Sequence, residues 1–290
     1  MEIFQASLFS AEQYELGEGA FWWPERAVWC WVDILGHTFY MQDPAGRRST
    51  FHIGEYVSVM VPVAGSGELL LGLQGRVVRF SPEQGLGRML TVLDGNPGMR
   101  CNDGGCDPAG RLWIGTMHLI TQHDNGALYC VEGNRPPVIR LAQVSIPNGI
   151  VWKGDLMYFT DTATNMIQEY RYDVEKGTVS QPRRAVTVPA ELGSPDGMTI
   201  DSEGMLWVAH WGGRGVYRWN PVSGELLAHI EIPALQVSSC IFGGPDMQDM
   251  LITTAREHMT AEQLQQYPLS GSLFHVKLPY KGLPVNYFKY

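Results

Sequence analysis

The sequence predicts an all-β fold, a six-bladed β-propeller with four antiparallel strands in each blade. Short apolar runs bounded by turn residues recur along the whole chain, and landmark residues within them are 41 to 49 residues apart. The landmarks are Trp29, Leu70, Trp113, Tyr158, Trp207 and Leu251. Further strand-like runs and polar turns follow most of them, and about four strands in a period of roughly 45 residues is typical of a propeller blade.

The repeated elements can be located in order along the chain. The landmark strands are predicted at Val28–Asp33, Glu68–Gly72, Arg111–Gly115, Asp155–Thr160, Met205–Ala209 and Met250–Thr254. A further strand of each repeat is predicted at His37–Met41, Arg76–Phe80, Ala127–Val131, Ile167–Tyr172, Gly215–Trp219 and Ser272–Val276. The tetrapeptides Asp107–Gly110 and Asp201–Gly204 have the D-x-x-G pattern of a tight turn that precedes a landmark strand.

Six repeats account for most of the 290 residues, so we expect one domain over residues 1–290. The run Glu2–Phe9 has strand character, and we expect it to pair with the last blade and close the ring. The one predicted helix lies at Thr260–Tyr267, where Thr260 is a suitable N-cap and Glu262 stands in the first turn.

Composition and charge exclude several classes of function. The formal net charge is −9, with no basic stripe, which argues against binding nucleic acids or anionic membranes. The N-terminal residues show neither a basic region nor a long apolar segment, so we expect no signal peptide, no membrane helix and a cytoplasmic location. The five cysteines are odd in number and scattered, which favours reduced thiols.

A second repeat involves oxygen-bearing side chains that stand beside or close to a glycine. Its members are Glu18, Asn102, Asn148 and Asp196, with spacings of 84, 46 and 48 residues. The first spacing is about twice the others, so Val57–Val59 could mark a further repeat between Glu18 and Asn102. Val237–Ser239 could extend the series beyond Asp196. Equivalent positions of successive blades face a common axis, so these side chains are expected to converge. The alternative is that the N-G and D-G pairs simply form turns.

Three members of the series could together bind a metal ion. Glu18, Asn148 and Asp196 would offer two carboxylates and one amide oxygen. An all-oxygen site suits one divalent cation such as Ca²⁺, Mg²⁺ or Mn²⁺ and could accept Zn²⁺ or Fe²⁺, so the identity of the metal stays open.

The chain resembles the gluconolactonase/regucalcin (senescence marker protein) family. The matching segments are Gly17-Glu18-Gly19-Ala20-x-Trp22, Arg100-x-Asn102-Asp103-Gly104, Asp107-Pro108-x-Gly110-Arg111-Leu112-Trp113-x-Gly115-Thr116-Met117, Asn148-Gly149, Phe159-Thr160-Asp161-Thr162, Ser194-Pro195-Asp196-Gly197-Met198 and Leu206-Trp207-Val208-Ala209. They follow the family order over nearly the whole chain.

This resemblance implies a six-bladed propeller that holds one divalent cation through Glu18, Asn148 and Asp196. It also implies that Arg100 and Asn102 contact a sugar and that the activity is hydrolysis of aldonolactones to aldonic acids in carbohydrate catabolism. Many members carry an acidic residue shortly after G-T-M. Here His118 follows Met117 and no carboxylate occurs before Asp124. His118 is therefore a further candidate for substrate contact, and the identity of the sugar lactone stays open.

We expect the cation to act as a Lewis acid on the lactone carbonyl while Asp196 serves as the general base for water. Two other functions remain open, namely a phosphotriesterase-like hydrolase and a non-catalytic calcium-binding propeller. The pair Arg100 and Asn102 favours a polyhydroxylated substrate over an apolar phosphoester. The oligomeric state is not predicted.

Overall fold

The structure is a computed structural model that describes residues 1–290 and consists mainly of short strands. In chain order the first strands are β1 Glu2–Gln5, β2 Ser7–Ser10, β3 Gly17–Trp23, β4 Val28–Asp33, β5 Thr38–Gln42, β6 Arg48–His52, β7 Val59–Pro62, β8 Leu69–Gly72, β9 Arg76–Ser81, β10 Gly85–Val92, β11 Met99–Cys106 and β12 Leu112–His118. The remaining strands are β13 Gly126–Val131, β14 Val138–Val144, β15 Pro147–Lys153, β16 Leu156–Asp161, β17 Met166–Asp173, β18 Thr178–Thr187, β19 Ser194–Ile200, β20 Leu206–Trp211, β21 Gly215–Trp219, β22 Leu226–Glu231, β23 Gln236–Gly243, β24 Asp249–Ala255 and β25 Leu273–Lys277.

These strands form six sheets, which we number as blades I to VI in chain order. Blades I to V consist of β3–β6, β7–β10, β11–β14, β15–β18 and β19–β22, and blade VI consists of β23–β25 with β2 as its fourth strand. Neighbouring strands of each blade are antiparallel, and they follow one another in sequence order except in blade VI, where β2 pairs with β25. The predicted fold class, a six-bladed β-propeller with four antiparallel strands per blade, is confirmed.

The chain divides into two compact units. Unit 1 comprises Met1–His52 and Ala185–Pro284, and therefore holds blades I, V and VI. Its core includes Trp207, which packs edge-to-face on Phe242 with ring centroids 5.8 Å apart. The prediction of one domain over residues 1–290 stays a prediction.

Unit 2 comprises Ile53–Arg184 and Val285–Tyr290, and holds blades II, III and IV apart from the end of β18. Trp113, Trp152 and Tyr172 form an aromatic cluster in its core, with ring centroids 6.1 to 6.3 Å apart. Phe288 from the C-terminal segment is fully buried in a second cluster, between apolar residues of blades II and III.

The N-terminal run splits into two strands with different partners. Only β2 pairs with the last blade, antiparallel to β25, as was predicted for the whole run Glu2–Phe9. Strand β1 instead pairs with β22 of blade V, in parallel register from Glu2 opposite Ala228 to Gln5 opposite Glu231. The chain thus adds one strand to each of two neighbouring sheets in unit 1.

The predicted helix is confirmed as α1, Ala261–Gln266, with a capping box between Thr260 and Gln263. Two short 3₁₀ turns occur at Thr162–Thr164 and Ala190–Leu192. No helix in the structure has the length and apolar character needed to cross a membrane.

The D-x-x-G turns are confirmed, and the structure shows why each begins with aspartate. One oxygen of buried Asp107 accepts the backbone amides of Ala109 and Arg111 at 3.0 and 2.9 Å, which closes the turn. The other oxygen accepts Trp113 Nε1 at 2.8 Å. Asp201 binds Trp207 Nε1 in the same way at 2.9 Å. Each aspartate therefore links a turn to the central tryptophan of its blade.

Candidate active site

Apart from His118, the predicted site residues lie on the first strands of their blades, and the pairing of these strands is irregular near them. Register shifts occur between Glu18 and Phe21, Cys101 and Gly104, Asn148 and Ile150, Pro195 and Met198, and Val237 and Ser239. A β-bulge of this kind re-aims a side chain without ending the strand. The N-G and D-G pairs at 148–149 and 196–197 therefore lie inside strands β15 and β19, and the interpretation as plain turns is wrong for them.

Blade II is the exception that accounts for the double spacing in the series. Ser58 stands just before β7, and β7 pairs with β8 in continuous register from Val59 to Pro62. This repeat therefore lacks both the bulge and the amide or carboxylate side chain of its neighbours.

In unit 2 the structure brings three predicted residues into one hydrogen-bonded row. Arg100, which is only 7% exposed, donates from Nη1 to Asn102 Oδ1 at 2.5 Å. Asn102 Nδ2 donates to Asn148 Oδ1 at 3.1 Å and to the Pro147 carbonyl at 2.8 Å. Asn148 Nδ2 donates to Thr162 Oγ1 at 2.7 Å. The hydrogen bonds thus run from Arg100 to Asn102, which are the two predicted sugar-contacting residues, and from Asn102 to Asn148, which is a predicted cation ligand.

In unit 1 the structure places Glu18 and Asp196 near the same buried thiol. Burial raises the pKa of Cys240, and the negative charges of Glu18 and Asp196 raise it further. Asp196 is only 5% exposed, and Glu18 Oε2 accepts the backbone amide of Gly19 at 2.8 Å. The buried carboxyl of Asp196 and the half-buried carboxyl of Glu18 therefore both lie in the neighbourhood of Cys240.

Two glycines in the recognised motifs allow neighbouring blades to approach closely. A side-chain carbon at Gly197 would lie 2.8 Å from Ser239 Oγ and 2.9 Å from the Ser238 carbonyl, within unit 1. A side-chain carbon at Gly115 would lie 2.2 Å from Pro147 Cβ, within unit 2. Both glycines are required because the backbone of one blade packs directly on the next.

His118 lies at the end of β12, opposite Met99, and therefore next to the Arg100 position in blade III. Its Nδ1 accepts the backbone amide of Ile120 at 3.3 Å, and its Nε2 is turned towards Gly98. Its predicted substrate contact stays a prediction.

Asp103 follows Asn102 in the bulge of β11. Burial raises the pKa of this carboxyl to about 6, although a hydrogen bond from the Gly104 amide at 2.6 Å acts in the opposite direction. Its raised pKa makes Asp103 a further titratable group beside the predicted substrate residues.

Two aspartates hold the backbone that leads into ligand-bearing strands. Asp33 is paired with Gly17 and Asp161 with Pro147, so each lies opposite the residue before Glu18 or Asn148. Among their donors, Asp33 accepts the backbone amides of Glu15 and Leu16 at 3.1 and 3.0 Å, and Asp161 accepts those of Ser145 and Ile146, both at 2.9 Å. Asp33 and Asp161 each stand at the end of a landmark strand. This shared position in the repeat is the sequence signal by which Asp33 could have been predicted to hold the backbone before Glu18.

His210 has the corresponding place in blade V, because it is paired with Pro195, the residue before Asp196. Its Nδ1 donates to the Leu192 carbonyl at 2.8 Å, in the segment that leads into β19. In blade V, a histidine therefore restrains the entrance of the ligand-bearing strand, where blades I and IV use an aspartate. Thr162 was also not predicted as a site residue. It belongs to the matching segment Phe159-Thr160-Asp161-Thr162, but that segment gave no indication of its contact with Asn148.

The chemistry of the predicted donors fits a hard divalent cation. The set contains two carboxylates and one amide oxygen, which are the ligands that Ca²⁺, Mg²⁺ and Mn²⁺ prefer. The structure contains no group of three or more His, Cys, Asp or Glu side chains that could hold a metal ion. The predicted donor set is compatible with this observation, because it contains only two acidic side chains and draws its third ligand from an amide oxygen.

Comparison with known proteins shows which family the chain is similar to. The family model described as SMP-30/Gluconolactonase/LRE-like region matches residues 16–256. A Bacillus subtilis (strain 168) protein named as a sugar lactone lactonase, a name marked as provisional, is 34% identical over 270 residues, 92% of each chain. Regucalcin from Danio rerio is 33% identical over 282 residues, 94% of each chain.

A solved structure described as a calcium-binding protein, regucalcin, from Agrobacterium tumefaciens superposes with a TM-score of 0.94 at 27% identity and covers 100% of both chains. The similarity thus extends over the whole propeller, including every strand that carries a predicted site residue. On these grounds the chain belongs to the SMP-30/gluconolactonase/LRE-like family.

Proposed function

We propose that this protein is a metal-dependent lactonase that hydrolyses a sugar aldonolactone to the corresponding aldonic acid. The observation that carries the proposal is the row from Arg100 through Asn102 to Asn148, which joins the residues assigned to the sugar and a residue assigned to the cation. Membership of a family named after gluconolactonase supports the same reaction class.

Glu18, Asn148 and Asp196 are the proposed ligands of one divalent cation. When bound, such an ion supplies Lewis-acid stabilisation for the negative charge that develops on the carbonyl oxygen of the lactone. Which ion serves in the cell depends on availability as well as on the oxygen ligands.

Arg100 and Asn102 are proposed to orient the hydroxyl groups of the sugar. Because Arg100 is buried and its Nη1 is held by the Cys101 carbonyl at 3.0 Å and by Asn102 at 2.5 Å, its guanidinium has a fixed direction. Fixed donors orient a polyol without reorganisation during the reaction. His118, at the end of the neighbouring strand, is proposed as a weaker contact to the same substrate.

Asp196 is the proposed general base. It accepts a proton from the attacking water as the bond between that oxygen and the carbonyl carbon forms. The ring C–O bond then breaks, and the proton passes to the departing ring oxygen, which becomes a hydroxyl group. The product is the open-chain aldonic acid, and Asp196 returns to its ionised form.

The test is release of acid from a panel of aldonolactones, each assayed with several divalent ions. We expect hydrolysis of at least one lactone, loss of turnover with a chelator and recovery when the ion is restored. A phosphotriester in the same panel tests the phosphotriesterase alternative. Ion binding without hydrolysis of any substrate would instead favour a calcium-binding propeller.

The variant Asp196→Asn should fold normally and lower kcat by about 100-fold or more, since general base catalysis contributes about 10² to 10⁴. The matched control is Asp246→Asn, which alters an exposed carboxylate paired with Lys277 in the same unit and should leave kcat unchanged. Turnover of Asp196→Asn at the wild-type rate would remove Asp196 from the mechanism.

A further inference from the structure

The row of side chains in unit 2 has a fixed hydrogen-bond direction that begins at Arg100. A guanidinium can only donate, so the atom of Asn102 that faces Arg100 Nη1 must be its oxygen. The amide nitrogen of Asn102 must then face the other way, where the Pro147 carbonyl accepts it at 2.8 Å. A backbone carbonyl can only accept, so both ends of the Asn102 amide are determined independently.

The direction of Asn148 follows from that of Asn102. Asn102 Nδ2 also donates to Asn148 Oδ1 at 3.1 Å. If the Asn148 amide were reversed, two NH₂ groups would face each other and neither could accept. Its nitrogen therefore points to Thr162 Oγ1, at 2.7 Å, where the hydroxyl accepts.

Thr162 is itself held in place by the backbone. Its N–H donates to the Ile146 carbonyl at 3.0 Å, in the segment that enters β15, and it is the first residue of the 3₁₀ turn Thr162–Thr164. The side chain of Asp161 caps this turn and also binds the amide of Ile146 at 2.9 Å. The hydroxyl that accepts from Asn148 is thus fixed to the same strand entrance as Asn148.

We propose that Thr162 is a positioning residue that, together with Arg100 and Asn102, keeps the carbonyl oxygen of Asn148 as the atom offered to the cation. This inference rests on the proposed function. A carbonyl oxygen has two lone pairs, of which Asn102 uses one. An amide nitrogen cannot bind a cation, so the direction of this one amide decides whether Asn148 is a ligand at all.

One consequence is that ion binding and the substrate residues are coupled. Arg100 and Asn102 are assigned to the sugar, yet they also set the direction of the ligand amide. Thr162 is assigned neither to the sugar nor to the cation. The loss of its hydroxyl would nevertheless leave Asn148 Nδ2 without this acceptor, and it would lower the population of the Asn148 orientation that binds the cation. Residues that orient a metal ligand typically change metal affinity by about 10- to 100-fold.

The test is calorimetric titration of Ca²⁺ or Mn²⁺ into protein that has been treated with a chelator. Thr162→Val keeps the shape of the side chain and removes the acceptor, and we expect its ion affinity to fall by about tenfold or more. Thr162→Ser restores the hydroxyl and should bind the ion as the wild type does. Thermal unfolding without the ion checks that each variant is folded, and Thr162→Ala repeats the test if the valine variant is not.

The matched control is Thr164→Val. Thr164 lies in the same 3₁₀ turn, and its hydroxyl donates to the Asp161 carbonyl at 2.7 Å rather than contacting Asn148. We expect ion affinity within twofold of the wild type for this variant. Wild-type affinity in folded Thr162→Val would overturn the positioning role and leave the proposed function intact. Failure of the wild type itself to bind either ion would overturn both.

Discussion

His210 is fully buried in blade V, and both of its ring nitrogens are engaged. Its Nδ1 donates to the Leu192 carbonyl at 2.8 Å, and its Nε2 accepts Trp219 Nε1 at 3.3 Å. Its ring also stacks on Tyr217 with centroids 4.1 Å apart. This arrangement requires the neutral ring with the proton on Nδ1, because a proton on Nε2 would oppose the indole N–H.

Burial lowers the pKa of His210 from the usual 6.5 to about 3, which makes the stability of the protein depend on pH. Between these values the unfolded chain binds a proton that the folded protein does not, so acidification favours unfolding. We expect His210 to account for about 2 kcal/mol of the loss in free energy of unfolding between pH 7.5 and pH 5.

The measurement is urea unfolding at both pH values, for the wild type and for His210→Phe. The variant should be less stable at pH 7.5, because Leu192 and Trp219 lose partners worth about 1–3 kcal/mol each, but its loss on acidification should be smaller by about 2 kcal/mol. His123→Phe changes an exposed histidine and should behave as the wild type does. Equal acid losses in wild type and His210→Phe would contradict the assignment.

At the scale of the element, each ligand-bearing strand combines a fixed entrance with a bulge. In blade IV the entrance is held by Asp161, which binds the amides of Ser145 and Ile146, and the register of β15 shifts directly after Asn148. The aspartate fixes where the strand begins, and the bulge sets the direction of the ligand side chain.

Removing the entrance restraint should therefore reduce ion affinity as well as stability. We expect Asp161→Ala to lower the free energy of unfolding by about 2 kcal/mol, from the loss of charge-assisted hydrogen bonds, and to weaken Ca²⁺ or Mn²⁺ binding by about tenfold. Urea unfolding and calorimetric titration measure the two effects.

The control for this prediction is Asp173→Ala in the same blade. Asp173 ends β17 and accepts the amides of Glu175 and Lys176 at 3.0 and 3.1 Å, so its removal disturbs a comparable turn at the β17–β18 connection. This variant should lose some stability and keep its ion affinity. If both variants weakened ion binding equally, the entrance of β15 would have no special part in binding.

At the scale of the whole molecule, the N-terminal residues complete sheets formed by the other end of the chain. Strand β2 is the fourth strand of blade VI, whereas β1 adds a fifth strand to blade V, which already has four. In addition, Phe9 from β2 packs edge-to-face on the buried Trp31, with ring centroids 6.2 Å apart.

These two strands should therefore differ in importance. Deletion of residues 1–5 removes only β1 and should lower Tm by a few degrees, about 1 kcal/mol. Deletion of residues 1–10 leaves blade VI with three strands and β25 as an unpaired edge, so we expect a much larger fall in Tm and a tendency to aggregate. Scanning calorimetry and light scattering compare the two, and equal effects would contradict the closing role of β2.

The repeat could be predicted from the local sequence, because each blade buries the faces of its sheet in the same way and connects its strands by similar turns. The landmark strand Val28–Asp33 was located to the residue, and the turn that begins at Asp107 was identified from its D-x-x-G pattern. The partner of β1 was predicted incorrectly, because no local feature of Glu2–Gln5 distinguishes pairing with β22 from pairing with the last blade. The assembly of Glu18, Asn148 and Asp196 around one ion stays a prediction.

The order of residues thus determined by itself the six repeats, the strands that bear the polar series and the resemblance to a family, since these depend on spacing and composition alone. Only the tertiary structure decided that the N-G and D-G pairs lie in bulged strands, and that Thr162 and Arg100 fix the direction of the Asn148 amide. The physical reason is that hydrogen-bond direction depends on which donors and acceptors meet in space, and these come from different strands and turns.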